Sequence, residues 1–230
     1  MRRKERILIL KRIPHKDNTF ILDALGRESG RKHFILRAGQ TPAGKRLRAL
    51  SIPGIFLETE YTETKSGWPR ILHLHLISDF PEIRNDIRKT AVFLFMLENI
   101  HQLIRHDSGP EIYDWLLACF KQMDREAYRP VFHLRFMNRL LDFLGIKPRP
   151  DKFGTFFDKG KYISDSMMTR LTPDYRSHDL FRRFLTGEPL KGRDERYRAL
   201  LLTEKYIRFF YENYRLPKSL GVFKEIFDDE

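Results

Sequence analysis

Up to about residue 80 the apolar and polar positions alternate in short runs, and beyond it they recur every three to four residues. That change of period is the signal of strands giving way to helices. Five strand-like runs precede it, at residues 6–13, 19–25, 32–38, 55–62 and 70–77. They are rich in branched and aromatic residues and are separated by turn chemistry. Phe20, Leu22 and Ala24 share one face of the second run, and Phe34, Leu36 and Ala38 one face of the third. Residues 14–18 supply the first loop, and Lys65, Ser66 and Gly67 the last hairpin turn. Five short strands in this span predict a small barrel of the OB type, and an SH3-like barrel would show the same pattern.

After the change, 80–106 places Ile83, Ile87, Ala91, Leu94, Leu97 and Ile104 on one helical side, widened by Phe93, Phe95 and Met96. Residues 109–123 and 130–145 predict two more helices, the second ending at Gly145. The segment "DKFGTFFDKGKYI" reads as a hairpin-like excursion within 147–165. A short helix at 177–185, a long one over about 194–214 and a last one at 219–227 complete the pattern. The fold class is thus α+β multidomain, an N-terminal five-stranded barrel over 1–79 followed by an all-α domain over 80–230.

Composition narrows the function. Net charge is +12, and residues 1–78 hold 16 Lys and Arg against 7 Asp and Glu, leaving 27 against 24 for the remainder. The basic bias belongs to the barrel, as in a module that meets a polyanion. One cysteine, Cys119 within "WLLACF", excludes an internal disulfide framework and a Cys-rich zinc module, and reads as a buried small hydrophobe. The opening "MRRKERILILKR" has too short an apolar run for a signal peptide, and the longest apolar stretch, 91–97, is far below the ~20 residues that span a bilayer. A cytoplasmic, nucleoid-associated protein with no membrane contact is expected.

Candidate chemistry begins at "GQTPAGKR", which meets the nucleotide-loop pattern G-x-x-x-x-G-K-[ST] at Gly39, Gly44 and Lys45 and fails at Arg46. A phosphotransferase or ATPase using Gly39–Lys45 is the alternative this stretch leaves open. The surrounding pattern lacks the alternating strands and helices that carry such a loop, and a solvated basic loop is the simpler reading. "SGRK" at 29–32 spells S-x-x-K but falls in a turn. His73 and His75 share a strand face without an evident third metal ligand, and Glu58, Glu60 and Glu63 read as an outward face. No catalytic set, metal site or cofactor is expected.

Binding chemistry fits the residues better. Arg31, Lys32, Arg37, Lys45, Arg46 and Arg48 surround the third strand and its exit, with Lys16 and Lys65 in the hairpin loops. Each can neutralise a phosphate. Among the aromatic residues Phe20, Phe34, Tyr61 and Trp68, the first two read as core, and Trp68 at a hairpin tip is the base-stacking candidate. Nothing in these residues separates DNA from RNA, so a general RNA-binding barrel stays open.

The run "ILILKRIPHKDNTFILDALGRESGRKHFILRAG" resembles the start of the bacterial recombination mediator RecO family, with residues 9–13, Asp17, Glu28, Gly30 and Gly39 in the family's places. The basic "TPAGKRLRA", the helix "IRNDIRKTAVFLFMLENIHQLI" and the close "YRLPKSLGVFKEIF", with Leu216, Lys218 and Ser219, follow in the family's order. Some members carry a four-cysteine zinc module where this chain has "PRPDKFGTFFDKGKYIS". The resemblance implies a non-enzymatic protein of recombinational DNA repair that binds single- and double-stranded DNA, anneals complementary strands and assists recombinase loading. The partners it implies are RecR, sometimes RecF, and the acidic C-terminal tail of single-strand binding protein, held in an apolar pocket of the helical domain. Phe132, Arg135, Phe136 and Arg139 are the candidates for that peptide site, because a basic row beside aromatics suits an acidic peptide with an aromatic end.

Overall fold

A computed structural model describes residues 2–64, 67–106, 108–148, 156–158, 161–163 and 174–227. Five strands, β1 (Arg2–Lys16), β2 (Thr19–Gly26), β3 (Gly30–Arg37), β4 (Phe56–Thr62) and β5 (Arg70–Ser78), close into a barrel in the order β1-β2-β3-β5-β4. β3 and β5 meet in parallel at Ile35 and Arg70, where the Ile35 N–H also donates to the Pro69 carbonyl at 2.8 Å. All other neighbours in the barrel are antiparallel, which is the OB-fold arrangement. The period-two pattern sends Ile7, Ile9, Leu22, Ala24, Phe34, Leu36, Leu57 and Leu74 inward to form the barrel core.

The segment read as a solvated loop is instead a helix, α1 (Pro42–Leu50), between β3 and β4. Pro42 suits a first turn, and the Thr41 hydroxyl accepts the Gly44 N–H at 3.2 Å. Leu47 and Leu50 pack on the barrel core, so this short helix is held by apolar burial as well as by its cap. Two turns sufficed because tertiary contacts, which propensity does not register, hold them.

Residues 7–10 are buried on both faces of β1, unlike an ordinary half-exposed strand. The reason lies outside the barrel wall. The ring of Phe56 meets those of Phe80, Tyr113 and Phe120 at 5.8, 5.2 and 6.0 Å, all edge-on. Tyr113 and Phe120 come from α4 (Pro110–Arg125) and Phe80 stands just before α2 (Pro81–Asn85), while α3 (Ile87–Leu103) adds Phe93, 4.9 Å from Phe120. The helix expected over 80–106 breaks between α2 and α3, where the Asp86 carboxylate accepts the N–H groups of Arg88 and Lys89 and starts a new helix.

Compact packing therefore groups 1–127 as one unit and 128–230 as the other, although the element type changes near residue 80. The second unit holds α5 (Phe132–Phe143), a two-stranded pair β6 (Phe156–Asp158) and β7 (Lys161–Ile163), α6 (Tyr175–Thr186), α7 (Gly192–Phe210) and α8 (Ser219–Phe227). β6 and β7 form the hairpin expected from "FFDKGKYI"; the rest of 149–165 lies outside the described residues. Gly145 ends the α5 region at φ 68° as its position predicts, and α7 stops at Phe210, short of the expected 214. Phe136, Met137, Leu140 and Leu141 of α5 are buried in this unit, as are Phe181, Phe184 and Leu185 of α6 and Leu200, Tyr206 and Ile207 of α7. Among the described residues no helix is long and apolar enough to cross a membrane.

Candidate nucleic-acid interface

Strand register decides which basic residues come together. Thr19 pairs with Lys16 on one side and Arg37 on the other, so the β1–β2 turn and the end of β3 lie side by side. Asn18, with φ 55°, turns the chain there and accepts the Ala38 N–H at 2.7 Å. From α1 the Arg48 guanidinium donates to the Ala38 carbonyl at 2.9 Å and to Asn18 Oδ1 at 3.2 Å. It lies 5.5 Å from the Phe20 ring centre, with Arg12 at 5.3 Å from the same ring. Arg12 in turn donates to the Arg48 carbonyl and the Ser51 hydroxyl. Around this framework Lys16, Arg37, Lys45 and Arg46 are exposed.

Other predicted contacts have structural employment. Arg31 forks the Asp23 carboxylate at 2.6 and 3.0 Å and donates to the carbonyls of His101 and Ile104. Burial of Asp23 would raise its pKa, but hydrogen bonds from His101 and Arg31 outweigh it and hold the carboxyl well below its usual range. Arg31 therefore ties β2 and β3 to the end of α3, and Arg48 ties α1 to the barrel. Lys32 is half-buried over the Tyr61 ring at 5.2 Å, with its ammonium 3.5 Å from Glu63. Trp68, at a turn where Gly67 has φ 86°, is 43% exposed and stacks on His33 at 5.8 Å. Lys65 lies outside the described residues.

The nucleotide-loop likeness has a packing cause. A Cβ on Gly44 would come within 2.3 Å of the Gly39 carbonyl oxygen, so the two glycines are where the start of α1 rests on the end of β3. The preceding strand belongs to a closed, mostly antiparallel barrel rather than a parallel sheet. The Ser29 of "SGRK" is occupied as well: its hydroxyl and N–H both donate to the buried Glu5 carboxylate, at 3.0 and 2.8 Å. His75 and His73 pair across strands with Glu58 and Glu60, and Lys4 binds Glu60 at 2.9 Å, holding that carboxyl below its ordinary value. No group of three or more metal-ligating side chains is assembled among the described residues.

In the second unit a pocket of about 570 Å³ opens between α5 and the end of α6. Val131, Leu134, Phe184, Leu185, Pro189 and Leu190 make it apolar, and Arg135, Arg139 and Lys147 bring positive charge. Asn138 fixes the α6 end by donating to the carbonyls of Phe184 and Leu185 at 2.5 and 3.2 Å. Arg135 and Arg139 line this space. Phe136, only 2% exposed, belongs to the core, and Phe132 is half-buried and not part of the lining. The α6 contribution and Lys147 were missed because 40 to 50 residues of chain separate the two walls; no local pattern reports that approach.

Residues 84–153 match the family described as "Recombination protein O C terminal". Three proteins called DNA repair protein RecO are similar over nearly their whole length. That of Bacteroides fragilis is 27% identical, covering 96% of this chain and 97% of its own. That of Phocaeicola vulgatus is 23% identical with the same coverage, and that of Flavobacterium psychrophilum 22% identical over 99% of this chain and 100% of its own.

Proposed function

We propose that this chain, similar over nearly its whole length to proteins called DNA repair protein RecO, is a member of that family: a DNA-binding protein of recombinational repair that anneals complementary strands and assists recombinase loading without making or breaking a bond. The observation that carries the reading is the set of exposed cations Lys16, Arg37, Lys45 and Arg46 at one end of the OB barrel. Each phosphate they neutralise releases counterions, so binding is favoured by entropy and weakened by salt. Two DNA backbones repel over about a Debye length, roughly 10 Å at 0.1 M salt. A basic end that meets both lets complementary bases come within pairing distance.

The pocket in the second unit suits the acidic tail of single-strand binding protein. An apolar hollow takes a terminal aromatic side chain, while Arg135, Arg139 and Lys147 meet its carboxylates. RecR, and in some settings RecF, complete the partners this reading assigns. The family's zinc module has no counterpart in cysteines here, and the reading uses no metal.

Annealing of complementary oligonucleotides across a salt series tests the reading. Charge reversal at Arg37, Lys45 and Arg46 is expected to lower DNA affinity at least ten-fold and to flatten its salt dependence by up to about 3 in log–log slope, with the melting temperature preserved. Unchanged affinity in that variant, or no salt-sensitive DNA binding by the parent, overturns it.

A further inference from the structure

Three rings from distant parts of the chain line the outer side of β3. Inward positions of that strand are taken by Phe34 and Leu36, so His33, Ile35 and Arg37 face out. The His33 ring stacks on Trp68 at 5.8 Å and 28°, and stands 6.5 Å from His106 at 50°. His33 thus occupies the middle of a row that runs from the β4–β5 turn to the segment after α3. We propose that Trp68, His33 and His106 form a track on which unpaired bases of a DNA strand stack, a base-stacking site that adjoins the phosphate-binding end of the barrel at Arg37.

Hydrogen bonds hold the His106 ring and the backbone of Trp68 in place. The Nδ1–H of His106 donates to the Arg31 carbonyl at 2.6 Å. The close approach needs Gly30, at φ 67°, where a Cβ would lie 2.0 Å from the His106 carbonyl oxygen. Trp68 is anchored through its own carbonyl, which accepts the Thr64 hydroxyl at 2.7 Å, and through buried Pro69 beside it. Such fixing lowers the ordering cost a ligand must meet. Yet the rings are not core: Trp68 and His106 are exposed, and the His33 side chain is 35% exposed. A rigid, uncovered aromatic surface is what base stacking uses, since every base offers a π-face.

The surrounding charge suits a nucleic acid strand. Asp23 lies 4.0 Å from His33 Nε2 but is already forked by the Arg31 guanidinium, with His101 Nε2 at 3.2 Å. Exposed Arg37 continues along β3, and exposed Arg70 lies opposite Ile35, flanking the row with cations for the backbone. In a duplex the bases are already stacked inside, so the track favours single strands, whereas the exposed cations serve both forms.

The inference rests on the DNA-binding reading above, and its test separates the two. Binding of an oligothymidylate of about 16 nucleotides is compared with that of an abasic strand of equal length and with a duplex. The parent protein is expected to hold the base-bearing strand about ten-fold tighter than the abasic one. Trp68→Ala is expected to abolish that ratio and leave duplex affinity unchanged, Trp68→Phe to retain most of it, and His33→Ala and His106→Ala to reduce it in part. An abasic strand bound as tightly as the base-bearing one, or a ratio untouched by Trp68→Ala, overturns the track while leaving DNA binding intact. Absence of salt-sensitive binding to any of the three probes sinks both.

Discussion

Glu204 shows how a single side chain can set the pH response of the second unit. It is fully buried in α7, with one carboxylate oxygen taking the Tyr214 hydroxyl and the other, Oε1, without a partner among the described residues. Burial pushes its carboxyl up from 4.5 to about 7 against the opposing hydrogen bond of Tyr214. Between those values the unfolded chain has released a proton that the folded chain keeps. Stability therefore falls as pH rises through that window and is level above it, by about 3 kcal/mol in total. Glu204→Gln removes the titration: the variant is expected to unfold at a higher temperature than the parent at pH 8, with the gap closing towards pH 4. A constant gap across that range in thermal scans would disprove the assignment. Cys119 is inert by a similar cause, since burial pushes its thiol up to about 12.

At the scale of elements, the pocket between α5 and α6 carries its own acid. Asp142 Oδ2 stands 3.2 Å from Lys147 Nζ and 3.6 Å from Arg139 Nη1, occupying with one oxygen the two cations an incoming carboxylate would meet. Half-exposed ion pairs of this kind are worth about 0–1 kcal/mol each, little enough for a ligand to displace. Asp142→Asn is expected to tighten binding of an acidic peptide with a C-terminal aromatic residue by about three- to ten-fold, read by fluorescence anisotropy. Arg139→Ala should weaken it, and equal affinities in parent and Asp142→Asn would show that Asp142 does not compete. The same scale explains α1: a nine-residue helix with Gly44 against Gly39 stands where the letters suggest a nucleotide loop.

For the whole molecule, the change of period near residue 80 does not coincide with the division between the two compact units at 127/128. Leu8, Leu10, Leu25 and Phe56 lie on the outer barrel wall and are buried. Phe56 packs on the rings of Phe80, Tyr113 and Phe120, and Arg27 in the β2–β3 turn forks Asp114 of α4 at 2.8 and 2.6 Å. A fragment of residues 1–127 is expected to unfold cooperatively on heating, whereas 1–79 exposes this apolar wall and is expected to aggregate or to lack a cooperative transition. Cooperative unfolding of the shorter fragment would refute the role given to α2–α4.

The alternation of residues by itself determined the five strands, their inward faces and the helical remainder, because side-chain direction follows the local period. It also carried the basic bias of the first third and the order of motifs that marks the family. Tertiary structure alone decided which cations stay exposed. Arg31 and Arg48 are as basic as Arg37 and Arg46, yet Asp23 and two carbonyls hold the first, and Ala38 and Asn18 the second. Trp68 was legible as an exposed aromatic at a turn, but not its companions: His33 and His106 are separated from it by 35 and 38 residues. Barrel closure and the approach of residues 104–106 to β3 bring them together, and such long-range contacts leave no trace in a local pattern.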